Sequence, residues 1–232
     1  MSDAMWRDVA LEIPAESASA IAINPAGKRQ GRYYEGIKRA MDFSLAGIGL
    51  LVLLPLFLLL ALVIRLDSRG PVLFSQTRVG KGGREFRCWK FRSMYVDAEA
   101  RKAELETENE MAGGVTFKMK CDPRITRVGR FIRKASIDEL PQLWNVVTGD
   151  MSLVGPRPAI PREVAQYTPY ERGRLDVKPG ITCFWQVSGR SDLPFDEQVR
   201  LDIEYAKVRS LKVDVELLLR TIPAVLFARG AY

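Results

Sequence analysis

The sequence predicts a predominantly helical α+β protein held on one face of a membrane. It is a monotopic protein with a proline-kinked re-entrant helix hairpin, a small β-hairpin and interfacial amphipathic helices. Three observations predict this. Residues 43–64 run for 22 residues without a charge, with Pro55 at the midpoint and basic residues on both flanks. A glycine-punctuated pair of strand-like runs follows at 71–94. From there to the C-terminus, apolar residues recur mostly at helical spacing.

Taken in order, residues 1–35 are rich in Ser, Ala, Pro and Gly with little periodicity, and read as a mobile or interfacial arm. They lack the layout of a signal peptide, because the apolar block starts too late, runs too long and has no small-residue cleavage site after it. Residues 36–69 form the membrane element. At the helical rise the apolar stretch measures about 33 Å, enough to cross a hydrocarbon core. Pro55, however, frees a carbonyl at the centre and kinks the helix. Lys38 and Arg39 precede the stretch, and Arg65 and Arg69 follow it, so the flanking charge has no inside–outside asymmetry. A hairpin that enters and leaves on the cytoplasmic face satisfies both facts.

Residues 70–232 form the cytosolic or interfacial domain. Val72, Leu73 and Phe74 open a strand, Gly80, Gly82 and Gly83 supply a turn, and 85–91 return. Arg78, Lys81, Arg84, Arg87, Lys90 and Arg92 crowd this hairpin. The glycines lack the G-x-x-x-x-G-K pattern of a phosphate loop. Residues 97–110 read as an acidic exposed helix ended by Gly113-Gly114, and Asp122-Pro123-Arg124 as a turn. Arg124, Arg127, Arg130 and Arg133 then form a basic stripe. Residues 162–176 read as a polar helix, 181–187 as a short strand or interfacial segment, and 195–207 as a helix. Residues 214–229, apolar but broken by Pro223, read as an interfacial helix.

Residues 135–158, ASIDELPQLWNVVTGDMSLVGPRP, carry the most concentrated chemistry. An acid pair, Asp138-Glu139, follows Arg130, Arg133 and Lys134. Ser136 and Glu139 have the spacing of a capping box. Ile137, Leu140, Leu143, Trp144 and Val147 recur as an apolar face, while Asp138, Gln142 and Asn145 fall on another line. Acids in a first helical turn also serve the helix dipole alone. Pro141 fits a helix capped by Asp138 better than one capped by Ser136.

Composition narrows the chemistry. The chain of 232 residues has no histidine, so Ser-His, Cys-His and His-metal mechanisms are excluded. Acid–base work falls to Asp, Glu, Lys, Tyr or Cys, and any metal needs oxygen ligands. Cys88, Cys121 and Cys183 form neither a C-x-x-C pair nor a disulfide framework, which points to a reducing compartment. Thirty-five Lys and Arg against 28 acids give a net charge of +7, suited to phosphate-bearing partners.

The segments QTRVGKGGREFRCWKFRSM (76–94), DPRITRVGRFIRKASIDELPQLWNVVTGDMSLVGPRP (122–158) and KPGITCFWQVSGR (178–190) identify a family. From about Tyr34 onward the chain resembles the bacterial sugar transferases, monotopic polyprenyl-phosphate phosphoglycosyl transferases. The terminal ARGAY is most similar to the exopolysaccharide-initiating hexose-1-phosphate group. The resemblance implies a UDP-sugar donor, UDP-galactose or UDP-glucose, undecaprenyl phosphate as acceptor, Mg²⁺ as cofactor and UMP as product. It also implies residence at the cytoplasmic face of a bacterial inner membrane, among membrane lipids. It implies no nucleic-acid partner and is compatible with a homodimer.

The resemblance assigns Asp138 as the nucleophile that forms a phosphosugar intermediate. Glu139 orients the ion or assists the acceptor, and both acids are metal candidates. Arg133, Arg157 and Arg190, with Lys90 and Arg92, are phosphate-binding candidates, and Asp202 is a further acid. An Asp needs no base to be ionised at neutral pH, which suits a chain without histidine. Two departures stand out: Leu54-Pro55 where the family has Ser-Pro, and Cys183 where a Gly is common. The second bears on sugar choice, not on reaction class. A single-span enzyme with its catalytic part outside the cell is one alternative, against which cysteine usage and the symmetric flanking charge weigh; a basic membrane scaffold without chemistry is the other. It explains the charge and the apolar segments but gives no use to carboxylates set among arginines.

Overall fold

The computed structural model describes residues 25–105, 119, 122–189 and 193–226. A single helix dominates it. Helix α1 (Pro25–Asp67) carries Pro55 inside and is uninterrupted there. The two predicted half-helices are therefore one element. The stretch read as an arm already turns helical at Pro25, and residues 1–24 lie outside the described residues.

Helix α1 is long and apolar enough to cross a membrane, and only 11% of its most apolar window is covered by the rest of the chain. Leu51, Val52, Leu58 and Leu62 are bare. A contiguous apolar surface of this kind marks membrane association. Its other face is anchored at both ends to the same body. Toward the N-terminus, Lys38 pairs with Asp214, Arg39 Nη2 donates to the Val147 carbonyl at 2.7 Å, and Asp42 accepts from the Leu153 amide at 3.1 Å. Ala46 enters the main core with Val146, Met151, Val154, Tyr205 and Leu217. Toward the C-terminus, Leu60 and Ile64 pack with Phe91 and Ile132, and Asp67 accepts from the Val128 amide.

Strands β1 (Leu73–Val79) and β2 (Glu85–Phe91) form the expected antiparallel hairpin, in register from Leu73↔Phe91 to Val79↔Glu85. Its turn needs positive φ at Gly82 (67°) and Gly83 (80°), which glycine supplies without strain. Helix α2 (Ala98–Leu105) follows. The expected continuation to 110 and its Gly113-Gly114 stop lie outside the described residues.

The 122–134 segment divides differently from the predicted stripe. Arg124 is buried and grips Asp122 through Nε and Nη2, at 2.9 and 2.7 Å. Helix α3 (Arg127–Lys134) starts only afterwards, with Thr126 as cap accepting from Gly129 N. Arg124 therefore belongs to the turn.

The capping box is not formed. Ser136 is left-handed (φ 55°) and its side chain caps nothing. Ile137–Glu139 is a single 3₁₀ turn, and helix α4 (Gln142–Thr148) begins with Pro141 at the N-cap. At that position a missing N–H costs no intrahelical bond, which removes the conflict in the sequence. Ile137, Leu143 and Val147 of the expected apolar face pack on the core, but the division into faces is not clean. Trp144 is 54% exposed, whereas Gln142 and Asn145 are buried. Asn145 Oδ1 accepts from Trp89 N and its amide donates to Arg87 O, so it completes the open edge of β2. Leu143 meets α1 at Gly49.

Strand β3 (Ser152–Val154) pairs in parallel with β4 (Gly180–Thr182), a small sheet that the sequence reading does not contain. Two glycines make it possible. A Cβ on Gly155 would lie 2.3 Å from Lys178 O, and one on Gly180 would lie 2.0 Å from Gly155 N. The expected helix over 162–176 splits into α5 (Pro161–Ala165) and a 3₁₀ segment Glu171–Asp176, with Pro169 between them. The segment read as a strand becomes β4 followed by α6 (Phe184–Ser188). Helices α7 (Phe195–Val208) and α8 (Leu211–Leu226) close the fold. Helix α8 has two apolar faces: Leu217 is buried in the core, while Val215, Leu219 and Ile222 are exposed.

Candidate active site

The acid pair sits where the 3₁₀ turn crosses β2. Its two carboxylates face different surroundings, because adjacent residues in a tight helical turn diverge. Asp138 is buried, and its carboxylate accepts no hydrogen bond among the described residues. Glu139 receives a direct charged hydrogen bond from Lys90 Nζ, reaching from β2.

The two carboxylates hold protons very differently. Burial pushes Asp138 up to about 6; Lys90 opposes that rise, Glu139 adds to it, and Arg133 and Arg157 oppose it. Burial acts on Glu139 in the same direction, but Lys90, Arg157 and Arg78 outweigh it and hold this carboxyl below its usual range. Two neighbouring acids with proton affinities pushed apart are a recurring sign of divided chemical roles.

A shallow cleft opens beside them. It is lined by Arg78, Lys90, Glu139, Gln142, Arg157 and Gln186, with Cys88, Pro158, Gly180 and Ile181 completing the wall. Arg157 projects from the GPRP loop, which the β3–β4 contact holds against 177–180. Its guanidinium lies 6.0 Å from the centroid of the Trp185 ring, within cation–π range. Arg78 donates to Pro158 O at 2.9 Å, tying β1 to the same loop.

Of the residues singled out in the sequence, the fold brings together Asp138, Glu139, Lys90 and Arg157, with Arg133 near enough to act on Asp138. Arg92 is placed elsewhere. Its Nη2 donates to Ser68 O at 2.6 Å and contacts Ile64 O, so it closes the C-terminus of α1. Arg190 lies outside the described residues. Pro55 sits within α1. Asp202 is fully buried and paired with Arg174 at 2.6 Å, outside the cleft lining. Cys88 and Cys183 are buried thiols, Cys88 in the cleft wall.

The sequence reading did not select Arg78, Gln142 and Gln186 for the site. Gln142 stands on the polar line four positions after Asp138, Arg78 in the basic hairpin and Gln186 in the 178–190 motif, and those were the available signals.

Glu139 is the acidic residue of the cleft lining, with the buried Asp138 next to it in the chain, and Arg78, Lys90 and Arg157 supply an excess of positive charge. This defines a membrane-associated protein whose site is suited to a phosphate-bearing substrate. The family model for bacterial sugar transferases matches residues 33–228, and the chain belongs to that family. It is 50% identical over 195 residues to the galactosyl transferase CpsE of Streptococcus agalactiae serotype III (strain NEM316), covering 84% of this chain and 43% of that protein. It is 42% identical over 212 residues to the undecaprenyl-phosphate galactose phosphotransferase of Salmonella typhimurium, covering 90% and 44%. It is 38% identical over 224 residues to the exopolysaccharide production protein ExoY of Sinorhizobium fredii, covering 95% and 94%. The chain thus spans less than half of the first two relatives and nearly all of the third.

Proposed function

We propose that this chain transfers a hexose 1-phosphate from UDP-galactose or UDP-glucose to undecaprenyl phosphate. Asp138 attacks the sugar-bearing phosphorus. The bond from that phosphorus to the bridging oxygen breaks, UMP leaves with the bridging oxygen, and an aspartyl-phosphosugar ester remains. An oxygen of undecaprenyl phosphate then attacks the same phosphorus and returns the Asp138 carboxylate. The product is undecaprenyl-diphospho-sugar, the starting unit of an exopolysaccharide or related glycan. The names of the relatives support the substrates, including a glucose phosphotransferase of Komagataeibacter xylinus at 42% identity.

The observation that carries this reading is the contrast within the acid pair. Asp138 is buried and free of hydrogen bonds among the described residues, while Glu139 accepts one from Lys90. A carboxylate without hydrogen-bond partners keeps its lone pairs for attack. Lys90, Arg78 and Arg157 bind the diphosphate and offset charge as UMP departs. Splitting the transfer in two lets the soluble donor leave before the lipid acceptor engages.

The acid pair fits Mg²⁺, a hard cation that takes one or two carboxylates together with substrate phosphates. Asp138 and Glu139 would hold it, and when bound it would neutralise the diphosphate as a Lewis acid. At the membrane, α1 enters and leaves on the cytoplasmic face of the inner membrane, bent at Pro55. Its two ends are fixed to one body, which supports this reading. The test is intact-mass analysis after incubation with a panel of UDP-sugars. A hexose-phosphate adduct mapping to Asp138, and missing in Asp138→Asn, is expected. An adduct on another residue would overturn the mechanism.

A further inference from the structure

The Asp202–Arg174 pair lies outside the cleft lining, with Arg174 and Arg157 sharing the wall of a neighbouring pocket, and takes no part in the mechanism above. Its two side chains are almost wholly out of solvent and 2.6 Å apart. Arg174 is enclosed by Tyr167, which accepts from its Nη1 at 2.9 Å, and by the rings of Tyr167 and Phe195 at 5.6 and 5.8 Å. A buried ion pair is costly to assemble and seldom stabilises more than apolar residues of the same shape. This pair therefore invites a role beyond stability.

The neighbour above the pair is Trp185. Its side chain is buried in α6 and packs in a small cluster with Cys183 and Leu201. Burial raises the proton affinity of Asp202 and Arg174 opposes that rise most, with smaller contributions from Trp185 and Cys183 beside the carboxylate; the Cys183 thiol itself donates to Gln186 Oε1 at 3.2 Å. Neither Asp202 oxygen nor the indole N–H makes a well-aligned hydrogen bond, so charge and packing hold the group together. The Arg157 guanidinium lies over the same ring, 6.0 Å from its centroid, and shares the cleft with Glu139. The order from the interior to the cleft is therefore Arg174, Asp202, Trp185, Arg157, Glu139.

We propose that Asp202 and Arg174 are positioning residues for Arg157: the buried pair fixes the Trp185 ring, and the ring sets where the guanidinium stands over the substrate diphosphate. This rests on the phosphate-binding role given to Arg157 above. A flexible arginine on an exposed loop gains most from such a platform, because its side-chain entropy is lost before substrate arrives. Asp202, fully buried and paired with Arg174, then acts without touching substrate.

The test is a double-mutant cycle on UMP release from the UDP-sugar that loads Asp138, with Asp202→Asn and Arg157→Ala made singly and together. Residues acting through one group are non-additive, whereas separate sites add. Asp202→Asn is expected to lower kcat/KM about tenfold or more with Arg157 present, and less than about twofold with Ala at 157. The loss should appear mainly in KM. Trp185→Phe, which keeps a ring but not the N–H or its width, should show the same dependence on Arg157 and replaces Asp202→Asn should that variant not fold. Asp122→Asn, a buried carboxylate paired with Arg124 outside the cleft lining, controls for lost stability and should give equal factors in both backgrounds. Equal factors for Asp202→Asn and Trp185→Phe in both backgrounds would overturn the proposal. Full activity of Arg157→Ala alone would end it by a separate route, by removing the phosphate-binding role of Arg157 itself.

Discussion

Lys90 donates its ammonium proton to Glu139, and the carboxylate next in sequence, Asp138, has no such partner among the described residues. This asymmetry sorts two acids of identical chemistry into a held anion and a free one. Lys90→Met should therefore harm both. Glu139 loses the charge that chiefly keeps it ionised, and Asp138 loses the strongest influence opposing its protonation. The adduct-forming step should slow by about a hundredfold or more, in line with removal of one buried electrostatic contact. Lys90→Arg should recover part of that loss. Single-turnover UMP release measures both.

The pH dependence follows from Asp138. The attacking group must be ionised, and burial raises its proton affinity to about 6. Adduct formation in the absence of divalent cation should rise with pH through about 6 and then level off. The same shift costs stability. The folded chain holds this proton more tightly than the unfolded one, so the associated stability is full below about pH 4 and is lost as pH rises through about 6. Asp138→Asn removes the charge and should raise Tm at pH 7.5 by roughly 3–6 °C, with little gain at pH 4. A Tm gain of the same size at both pH values would contradict the sign. Activity should fall at least a thousandfold.

How far the sequence goes is clearest at residues 136–145. The acid pair, its basic surroundings and the polar line Asp138–Gln142–Asn145 are all legible. What the line faces is not, because Asn145 turns inward to pair with the edge of β2, more than fifty residues away in sequence. The β1–β2 hairpin is legible, since glycine turns are local. The β3–β4 pairing is not, because a three-residue parallel pair leaves no periodic signal. Arg92 has the composition of a phosphate ligand, and only tertiary contact reveals that it closes the end of α1. Pro169 breaks the segment read as one helix over 162–176, whereas helix α8 runs through Pro223, which was read as an interruption. At Pro141 the sequence allowed two readings, and the helix took a third.

Gly155 and Gly180 should tolerate no side chain. Their backbones meet where β3 and β4 run together, and a methyl group on Gly180 would stand 2.0 Å from Gly155 N. Relief requires moving the GPRP loop, and Arg157 with it. Gly180→Ala should lose activity by about a hundredfold or more and destabilise by roughly 2 kcal/mol, a typical overpacking cost. By contrast, Gly31→Ala has open space at its Cβ and should leave both unchanged. Thermal melts and UMP release on the two variants measure the difference.

Lys38 and Asp214 should behave as a buried pair. They meet at 2.9 Å, Asp214 is fully enclosed, and Tyr34 and Tyr205 also donate to it. Removing one partner leaves an uncompensated charge, so Lys38→Met should cost about 3 kcal/mol or more. Lys38→Met with Asp214→Asn should recover a substantial part. Because the pair joins α1 to α8, limited proteolysis of Lys38→Met should also cut more readily near the start of α1. Additive losses in the two variants would mean that the charges do not act together.

The anchors of α1 bear on the re-entrant disposition proposed for it. Lys38 binds Asp214 and Asp67 binds the Val128 amide, so both ends of the apolar stretch hold the same body. As a straight helix the 29 steps between them measure about 44 Å, longer than the roughly 30 Å hydrocarbon core. A helix crossing the membrane would place these anchors on opposite faces, and the charged body would have to reach through lipid to keep both. Entry and exit on one face avoids that cost. Gly36→Cys and Leu66→Cys are exposed labelling positions beyond either end, and Cys88 and Cys183 are buried and should stay silent in a Cys121→Ser background. A membrane-impermeant maleimide should label both positions in inverted inner-membrane vesicles and neither in intact spheroplasts. One position labelled on each side would mean that α1 spans the bilayer and that at least one of the two anchors opens in the membrane.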